Sequence, residues 1–244
     1  MSLEKLLMPI PFGWRVSGST GQCVAYAETN DLKDRLDSVL GMENWNCEHY
    51  TINGTVYCRL GIKTAKGEWV YKTSAGESQS ALKDMLLEYV KVYLSMDGFE
   101  GEKYEKIEKK ITAIEKKIKI ASKSEDSDSF KRACFTWGLG RFIKYIPDYW
   151  ITIEKEKKGN YYNNLYKDRK TGELICSEYE AKFKLSQYIN SKIYIPDCIK
   201  NYMLNINDIE VLREFFNVNS HLHKNEQFIK LKETIKEKLE GGKK

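Results

Sequence analysis

The sequence lacks several patterns that would assign it to a familiar class of protein. It contains no run of about 18 apolar residues, the length that a membrane-spanning helix needs. Its first residues combine neither a basic start nor an apolar core, which argues against a secretory leader. The phosphate-binding pattern G-x-x-x-x-G-K is also missing, so ATP-driven chemistry is not supported. We therefore expect a cytoplasmic protein with no membrane partner and no cofactor.

Cysteine and histidine are too sparse and too scattered to indicate a metal site. The six cysteines, at positions 23, 47, 58, 134, 176 and 198, form no C-x-x-C pair, and most lie in apolar stretches, which favours reduced, buried thiols. His221, His223 and Cys198 resemble a zinc set, but no second cysteine lies at metal spacing. We expect both histidines to be solvent-exposed loop residues, and we predict no metal.

Arginine is scarce in a chain that is basic overall. The formal net charge is +5, and only seven of the 40 basic residues are arginine. Lysine suits solvated surfaces and point contacts to phosphate better than bidentate recognition. Charge alone does not separate a nucleic-acid-binding protein from an ordinary lysine-rich one.

The most informative segment is Ser-Asp-Ser-Phe-Lys-Arg-Ala at 127–133. We predict a helix over 127–145 with Ser127 or Asp128 as its N-cap, which puts Lys131 and Arg132 in the first turn. Exposed cations there cost roughly 0.3–1 kcal/mol each, because the helix start carries partial positive charge. A bound anion reverses that sign. The pattern therefore predicts a phosphate site made by the two side chains and the free N–H groups.

Turn signals divide the first third of the chain into short elements. A strand at 22–28 and a helix at 30–40 come first. Three strands follow, at about 45–52, 55–63 and 68–74, because Asn53-Gly54 and Ala65-Lys66-Gly67 are turn sequences.

The middle strand alternates in a way that separates two faces. Val56, Cys58, Leu60 and Ile62 share one face, which we assign to the core. Tyr57, Arg59, Gly61 and Lys63 share the other, which is polar, basic and aromatic, and Lys72 is expected to join or flank it. An ordinary solvated sheet face is the alternative interpretation.

A helical insertion separates the strands from the basic helix. Leu82, Leu86, Val90 and Tyr93 indicate one helix, Asp97-Gly98 ends it, and isoleucines at heptad spacing from 107 to 118 indicate a second. We predict an α-helical hairpin over 79–122 that acts as a spacer or subunit contact. In the following helix, Gly138 and Gly140 predict close backbone packing.

Beyond residue 152 the patterns are weaker. Segments 161–166 and 173–177 predict a hairpin, and helices are expected near 178–191, 206–216 and 224–240. The predicted class is α+β, with a β-β-β-α core in residues 1–152 and a mainly helical region in residues 153–244.

Several of these segments, taken in order, resemble the Rad52 family of single-strand annealing proteins in its bacterial and phage branch. The resemblance rests on Arg15, the strand at 22–28, the helix end at 35–41, the Glu-Asn-Trp at 43–45 and the block at 127–133. It covers about residues 10–151, including Ile146-Pro147 and Trp150, with a gap at 79–122.

The resemblance implies a protein that anneals complementary DNA strands in recombination and repair as an oligomeric ring or helical filament, without nucleotide hydrolysis. It implies that Arg15, Lys131 and Arg132 line a deep groove and grip the phosphates of single-stranded DNA. Some relatives carry a further basic residue where this chain has Phe135, and Arg59, Lys63 or Arg141 are the candidate replacements. The expected partners are single-stranded DNA, further copies of the chain and a host single-strand-binding protein. The expected location is the nucleoid or a phage-infected cell.

Three alternatives stay open at the sequence level. Tyr57 or Trp14 is a candidate platform for base stacking, although either type of residue is more often used for packing. Glu180-Ala181-Lys182, with Asp168, resembles half of a metal-dependent nuclease motif. A protein that protects DNA ends without annealing them would share the same groove.

Overall fold

The computed structural model describes residues 3–76, 80–95, 102–158 and 161–241. Its contacts divide the chain into two units, and each is described separately. The central unit is residues 40–137, and the terminal unit is residues 2–39 with 138–244. These units differ from the predicted division at residue 152. That division separates a DNA-binding region from a C-terminal region, and it stays a prediction. The predicted α+β class is confirmed.

The central unit is an antiparallel sheet covered by two helices. Its elements are β3 (Trp45–Ile52), β4 (Thr55–Lys63), β5 (Trp69–Ala75), α2 (Ser80–Ser95) and α3 (Glu102–Trp137). The strands lie in sequence order. Asn53 and Gly54 have φ of 50° and 74°, the left-handed pair that a tight two-residue hairpin requires. The first two strands are confirmed at their predicted bounds, and the third is shifted by one residue.

The two faces of β4 are also confirmed. Cys58, Leu60 and Ile62 are buried, while Arg59 is exposed and Lys63 is half-buried. The buried face packs against α3.

Lys72 is the exception to the predicted basic face. It pairs in register with Leu60 and lies on the α3 side of the sheet. There its Nζ donates to the Thr136 carbonyl oxygen at 3.0 Å and lies 4.5 Å from the Trp137 ring. The side chain therefore stabilises the C-terminal end of α3, where carbonyls and the helix dipole favour a cation.

The predicted helical hairpin is present, but its second arm does not end where expected. α2 packs against α3, and the predicted break at Asp97-Gly98 lies outside the described residues. α3 then continues for 36 residues to Trp137, about 54 Å. The heptad arm and the predicted helix at 127–145 are therefore one helix, which ends eight residues early.

Glycine explains where α3 ends. Gly138 has φ of 95° and Gly140 has φ of 71°, both in the left-handed region that terminates helices. The prediction that they lie inside a helix is wrong. Close packing does occur at Gly138, because a Cβ there would lie 2.6 Å from Leu7 Cδ2.

The terminal unit contains a five-stranded antiparallel sheet of order β1-β2-β6-β7-β8. Its strands are β1 (Gly13–Ser17), β2 (Gln22–Tyr26), β6 (Tyr149–Lys158), β7 (Tyr161–Asp168) and β8 (Leu174–Ser177). Gln22 pairs with Trp150 and Cys23 with Tyr149, which joins segments far apart in the sequence. Gly21 permits the approach, since a Cβ there would lie 2.2 Å from the Ile151 carbonyl oxygen.

Among the described residues, five α-helices complete the terminal unit. They are α1 (Thr29–Leu40, whose last residue belongs to the central unit), α4 (Ala181–Lys192), α5 (Asp197–Leu204), α6 (Ile209–Val218) and α7 (Glu226–Gly241). The predicted hairpin at 161–177 and the helices predicted near 178–191, 206–216 and 224–240 are confirmed, whereas β1, β6 and α5 were not predicted. Within the described ranges, no helix combines the length and apolar character needed to span a bilayer.

Candidate nucleic-acid interface

Lys131 and Arg132 do not lie in the first turn of a helix. They lie about eight turns into α3, whose residues 102–137 contain no glycine or proline to interrupt it. Ser129, which follows the predicted caps, donates back to the Asp126 carbonyl oxygen at 2.9 Å, as serines do inside helices. The predicted contribution of free N–H groups to a phosphate site is therefore wrong. Any grip on phosphate at this place must come from the side chains.

The side chain of Arg132 lies on the surface in an ion pair. Its Nε is 2.8 Å from Asp128 Oδ2, one helical turn away, and both side chains are more than a third exposed. Exposed pairs of this kind contribute about 0–1 kcal/mol. A phosphate can therefore replace the Asp128 carboxylate at little cost.

Buried neighbours hold this part of α3 against the sheet. Phe130 is 1% exposed and its ring centroid lies 6.2 Å from that of Trp45 on β3. Ala133 and Cys134 are buried as well. Because these residues fix the rotation of the helix, they also fix the direction in which the Lys131 and Arg132 side chains leave it.

Arg15 belongs to the terminal unit. It lies on the exposed side of β1, and its guanidinium carbon is 6.0 Å from the centre of the Tyr26 ring. The neighbouring Trp14 points the other way and is 1% exposed, with its Nε1 donating to Asn190 Oδ1 at 2.7 Å. Trp14 is a packing residue, and the hypothesis that it stacks on bases is wrong.

The remaining predicted cations fall into two places. Arg141 is exposed in a short 3-10 turn of the terminal unit that follows α3. Arg59 and Lys63 lie on the face of the central sheet opposite α3. Within the central unit, these two are thus separated by the sheet from Lys131 and Arg132. All six predicted site residues stay predictions as DNA contacts.

The open face of the central sheet carries an ordered set of rings. We call Tyr50, Tyr57, Arg59, Trp69 and Tyr71 the stacking face. Tyr50 and Tyr57 are cross-strand neighbours whose parallel rings lie 5.7 Å apart. Trp69 and Tyr71 stack with centroids 6.2 Å apart, and the Arg59 guanidinium carbon is 3.9 Å from the Tyr71 ring centre.

Sequence reasoning identified only Tyr57 and Arg59 of this set. The register of the first hairpin carries a signal for Tyr50. The Asn53-Gly54 turn pairs Ile52 with Thr55, so the residues two positions further from the turn on each strand, Tyr50 and Tyr57, also pair.

The two carboxylates of the nuclease-like motif, on Asp168 and Glu180, make structural contacts. Asp168 is buried and accepts hydrogen bonds from Lys170 N, Thr171 N and the Tyr149 hydroxyl. Burial opposes its ionisation, but these hydrogen bonds outweigh it and lower the pKa of Asp168 to about 2. Glu180 forms a capping box with Ser177 and an ion pair with Lys184. Both carboxylates therefore anchor local structure.

The two C-terminal histidines are packed against rings, which corrects the expectation of exposed loop residues. His221 contacts Phe12 edge-on at 4.7 Å, and burial lowers its pKa to about 3. His223 stacks on Phe216 at 4.0 Å. Among the described residues, no group of three or more His, Cys, Asp or Glu side chains has an arrangement that could hold a metal.

None of the six cysteines, all of which lie among the described residues, forms a disulfide, in agreement with the predicted reduced thiols. Cys23, Cys58, Cys134 and Cys176 are buried, and Cys47 and Cys198 are half-buried. Burial raises the pKa of Cys23 to about 12, so this thiol stays protonated at neutral pH.

Comparison with known proteins gives one match. A family model described as Rad52/22 family double-strand break repair protein matches residues 1–162. No curated protein and no solved structure matches the chain. The matched region includes Arg15, Lys131 and Arg132, and also the whole central unit.

Proposed function

The chain belongs to the Rad52/22 family of double-strand break repair proteins, and we propose that it binds single-stranded DNA and anneals complementary strands during recombinational repair. Proteins of this family act in DNA recombination and repair, bind single-stranded DNA and self-associate. The family match over residues 1–162 is the observation that carries the proposal. We propose the cytoplasm or nucleoid as its location and a host single-strand-binding protein as a further partner.

The proposed mechanism uses backbone contacts that carry no sequence information. Annealing requires base edges to remain free, because hydrogen bonds from the protein to those edges would compete with pairing. Arg15, Lys131 and Arg132 are proposed to contact phosphates through their side chains. For Arg132, binding exchanges the Asp128 carboxylate for a phosphate oxygen. The family match and the surface positions of Arg15 and Arg132 support this assignment.

We propose that the active form is a ring or a helical filament. Among the described residues, β3 and β5 each pair with one strand, so each presents an open backbone edge that a neighbouring subunit can cover. Light scattering at micromolar concentration is expected to give masses that are multiples of 28.5 kDa. A monomer alone, with and without DNA, would contradict the proposal.

The experiment that tests the proposal is a fluorescence assay of complementary strand pairing with the double variant Lys131→Ala/Arg132→Ala. We expect an annealing rate reduced at least about tenfold, since charge-assisted phosphate contacts are lost. Folding is expected to be unchanged, because the variant keeps Phe130, Ala133 and Cys134, the buried residues that hold this part of α3 against the sheet. Circular dichroism checks this.

A matched control removes the same charge from the same helix. Lys116→Ala/Lys117→Ala alters two exposed lysines about 22 Å along α3 from the proposed site. This control is expected to anneal at close to the parental rate. Equal losses in both variants would mean that general charge, and not a defined site, attracts the DNA. Parental annealing by Lys131→Ala/Arg132→Ala would show that the site is assigned wrongly.

Two further outcomes separate the alternatives. Tight binding of single strands without faster pairing would favour a protein that only protects DNA ends. DNA incubated with the protein and magnesium or manganese is expected to remain uncut, and binding is expected to survive a chelator. Metal-dependent cleavage that Glu180→Gln abolishes would favour the nuclease instead.

A further inference from the structure

From the geometry of the central sheet we infer a second nucleic-acid contact: the stacking face binds unpaired bases through their flat surfaces. It lies on the side of the sheet away from α3, and therefore away from Lys131 and Arg132. The inference goes beyond the phosphate grip proposed above, because it concerns bases and a different surface.

The rings of the stacking face are not needed to build the core. The core side of the same sheet is formed by Cys58, Leu60 and Ile62, which are at most 1% exposed. In contrast, Tyr50 and Trp69 are each 38% exposed. Large aromatic side chains that remain half in water on an open sheet face are typical of binding surfaces.

Gly61 is the residue that lets the Tyr71 ring lie across β4. A Cβ at position 61 would be 2.5 Å from Tyr71 Cε1 and 2.5 Å from Asn46 Oδ1. Tyr71 therefore occupies the space of the missing side chain, with the Arg59 guanidinium 3.9 Å from its ring centre. The result is a planar stack of ring and guanidinium held against the strand, and planar groups of both kinds are platforms for bases.

The spacing of the two ring pairs suits a single strand of DNA that runs along the direction of β4. Tyr57 pairs with Tyr50, and Gly61, four residues further along β4, pairs with Tyr71. At about 3.3 Å per residue, the two pairs are roughly 13 Å apart. A short stretch of single strand can therefore contact both.

The chemistry between the ring pairs favours a nucleic acid over a protein as the occupant. The row that separates them consists of Glu48, Arg59 and Thr73, all exposed and polar, where a protein interface would be expected to have an apolar centre. Lys63 adds a second cation on this face, opposite Trp69. The single carboxylate, on Glu48, is 3.9 Å from Arg59. The net charge of this patch complements a phosphate backbone.

The test compares two probes with the same phosphates, an oligothymidylate and an abasic deoxyribose-phosphate oligomer of equal length. Trp69→Ala and Tyr50→Ala are each expected to weaken binding of the oligothymidylate about tenfold, a typical effect of losing one base-stacking ring. Neither variant is expected to change binding of the abasic oligomer. Trp69→Phe, which keeps a ring, is expected to restore most of the lost affinity.

The phosphate-site variant serves as the matched control. Lys131→Ala/Arg132→Ala is expected to weaken both probes by the same factor, so the failure of one proposal can be told from the failure of the other. Equal binding of the oligothymidylate by Trp69→Ala, Tyr50→Ala and the parent protein would overturn the stacking site.

Two further measurements keep the test decisive. If Trp69→Ala or Tyr50→Ala lowers the assembly mass in light scattering without any difference between the probes, the face is a contact between copies of the chain and the inference is wrong. Gly61→Ala adds one carbon and no charge. Because it displaces the Tyr71 ring, it is expected to weaken only the oligothymidylate, provided that circular dichroism shows an intact fold.

Discussion

The two units differ in where they place their polar groups. Among the residues that the structure describes, six of the eight buried polar or charged side chains belong to the terminal unit. The central unit instead places Arg59, Lys63 and Arg132 at or near its surface, and four of its aromatic side chains stack on an open sheet face. One unit therefore uses buried hydrogen bonds to specify its interior, whereas the other leaves charged and aromatic side chains accessible on its surface.

Asn225 illustrates how the terminal unit is specified. Its Nδ2 donates to the carbonyl oxygens of Asn190 and Ile193 at 2.9 and 2.8 Å. Its Oδ1 accepts from the N–H groups of Gln227 and Phe228 at the start of α7. One buried side chain thus caps α7 and ties it to the last turn of α4 and to the residue that follows α4.

The largest effect that tests the comparison is expected from Asn225→Ala. Losing the cap costs about 1 kcal/mol, and leaving buried carbonyls unpaired costs a further 1–3 kcal/mol. We expect urea denaturation to show a loss of roughly 3 kcal/mol in the free energy of unfolding. Asn46→Ala in the central unit is the control, since Asn46 Oδ1 has no hydrogen-bond partner in the described structure. A loss from Asn46→Ala as large as that from Asn225→Ala would remove the distinction between the units.

The second prediction concerns acid and the terminal unit. Burial lowers the pKa of His221 from 6.5 to about 3, so the folded state binds this proton more weakly than the unfolded state does. The stability due to neutral His221 is therefore complete above pH 6.5 and is lost as the pH falls from 6.5 towards 3. The slope is expected to reach about 1.4 kcal/mol per pH unit.

Replacement of His221 by leucine is the way to check that slope. His221→Leu is expected to flatten the dependence of unfolding free energy on pH between 6 and 4. If the unfolding free energy of His221→Leu depends on pH as steeply as that of the parent protein, another group is responsible for the acid sensitivity.

A third, smaller effect is expected in the salt dependence of DNA binding. Each phosphate neutralised on a single strand contributes about −0.7 to the slope of log affinity against log salt. Arg15→Ala should reduce the magnitude of that slope by about 0.7, as measured by fluorescence anisotropy. Arg169→Ala removes an equally exposed arginine from the same unit and is expected to leave the slope unchanged. If Arg15→Ala behaves like this control, the terminal unit does not contact phosphate through Arg15.

The smallest effect is expected from removal of the helical hairpin. Replacing residues 80–121 by a short Gly/Ser linker keeps the part of α3 that Phe130, Ala133 and Cys134 hold against the sheet. We expect affinity for single-stranded DNA to change by less than about threefold, while the assembly mass or the stability changes. Loss of DNA binding in a folded, assembled variant would indicate that lysines of the hairpin contact DNA.

The part of the fold that could be predicted is the part whose contacts are local. The central strands follow one another, and the Asn53-Gly54 turn sets both the bend and the register, so pattern and turn chemistry were sufficient. The terminal sheet joins β2 to β6 by a pairing such as Cys23 with Tyr149, and no local signal specifies which distant segment completes a sheet.

The candidate site was predictable by residue type but not by local geometry. Lys131 and Arg132 were found as an isolated basic pair, but Ser127 and Asp128 were interpreted as caps because their side chains favour helix starts. The run of strong helix formers before them continues the helix through this position, and Asp128 is accommodated inside α3 by its ion pair with Arg132. Trp69 and Tyr71 lie on β5, so the alternation of side chains along β4 alone does not assign them to the stacking face. That assignment requires the pairing between the two strands.

The two-residue turn at Asn53-Gly54 also constrains how this protein can evolve. An insertion of one residue in β4 between the turn and Tyr57 would shift every later pair in the hairpin, and because side chains alternate, it would carry Tyr57 and Arg59 to the buried side and Leu60 into water. A single extra residue can be accommodated only as a β-bulge, whereas an insertion of two residues, or a change inside the turn itself, preserves both faces. Lineages that vary the length of this hairpin are therefore expected to do so in pairs of residues.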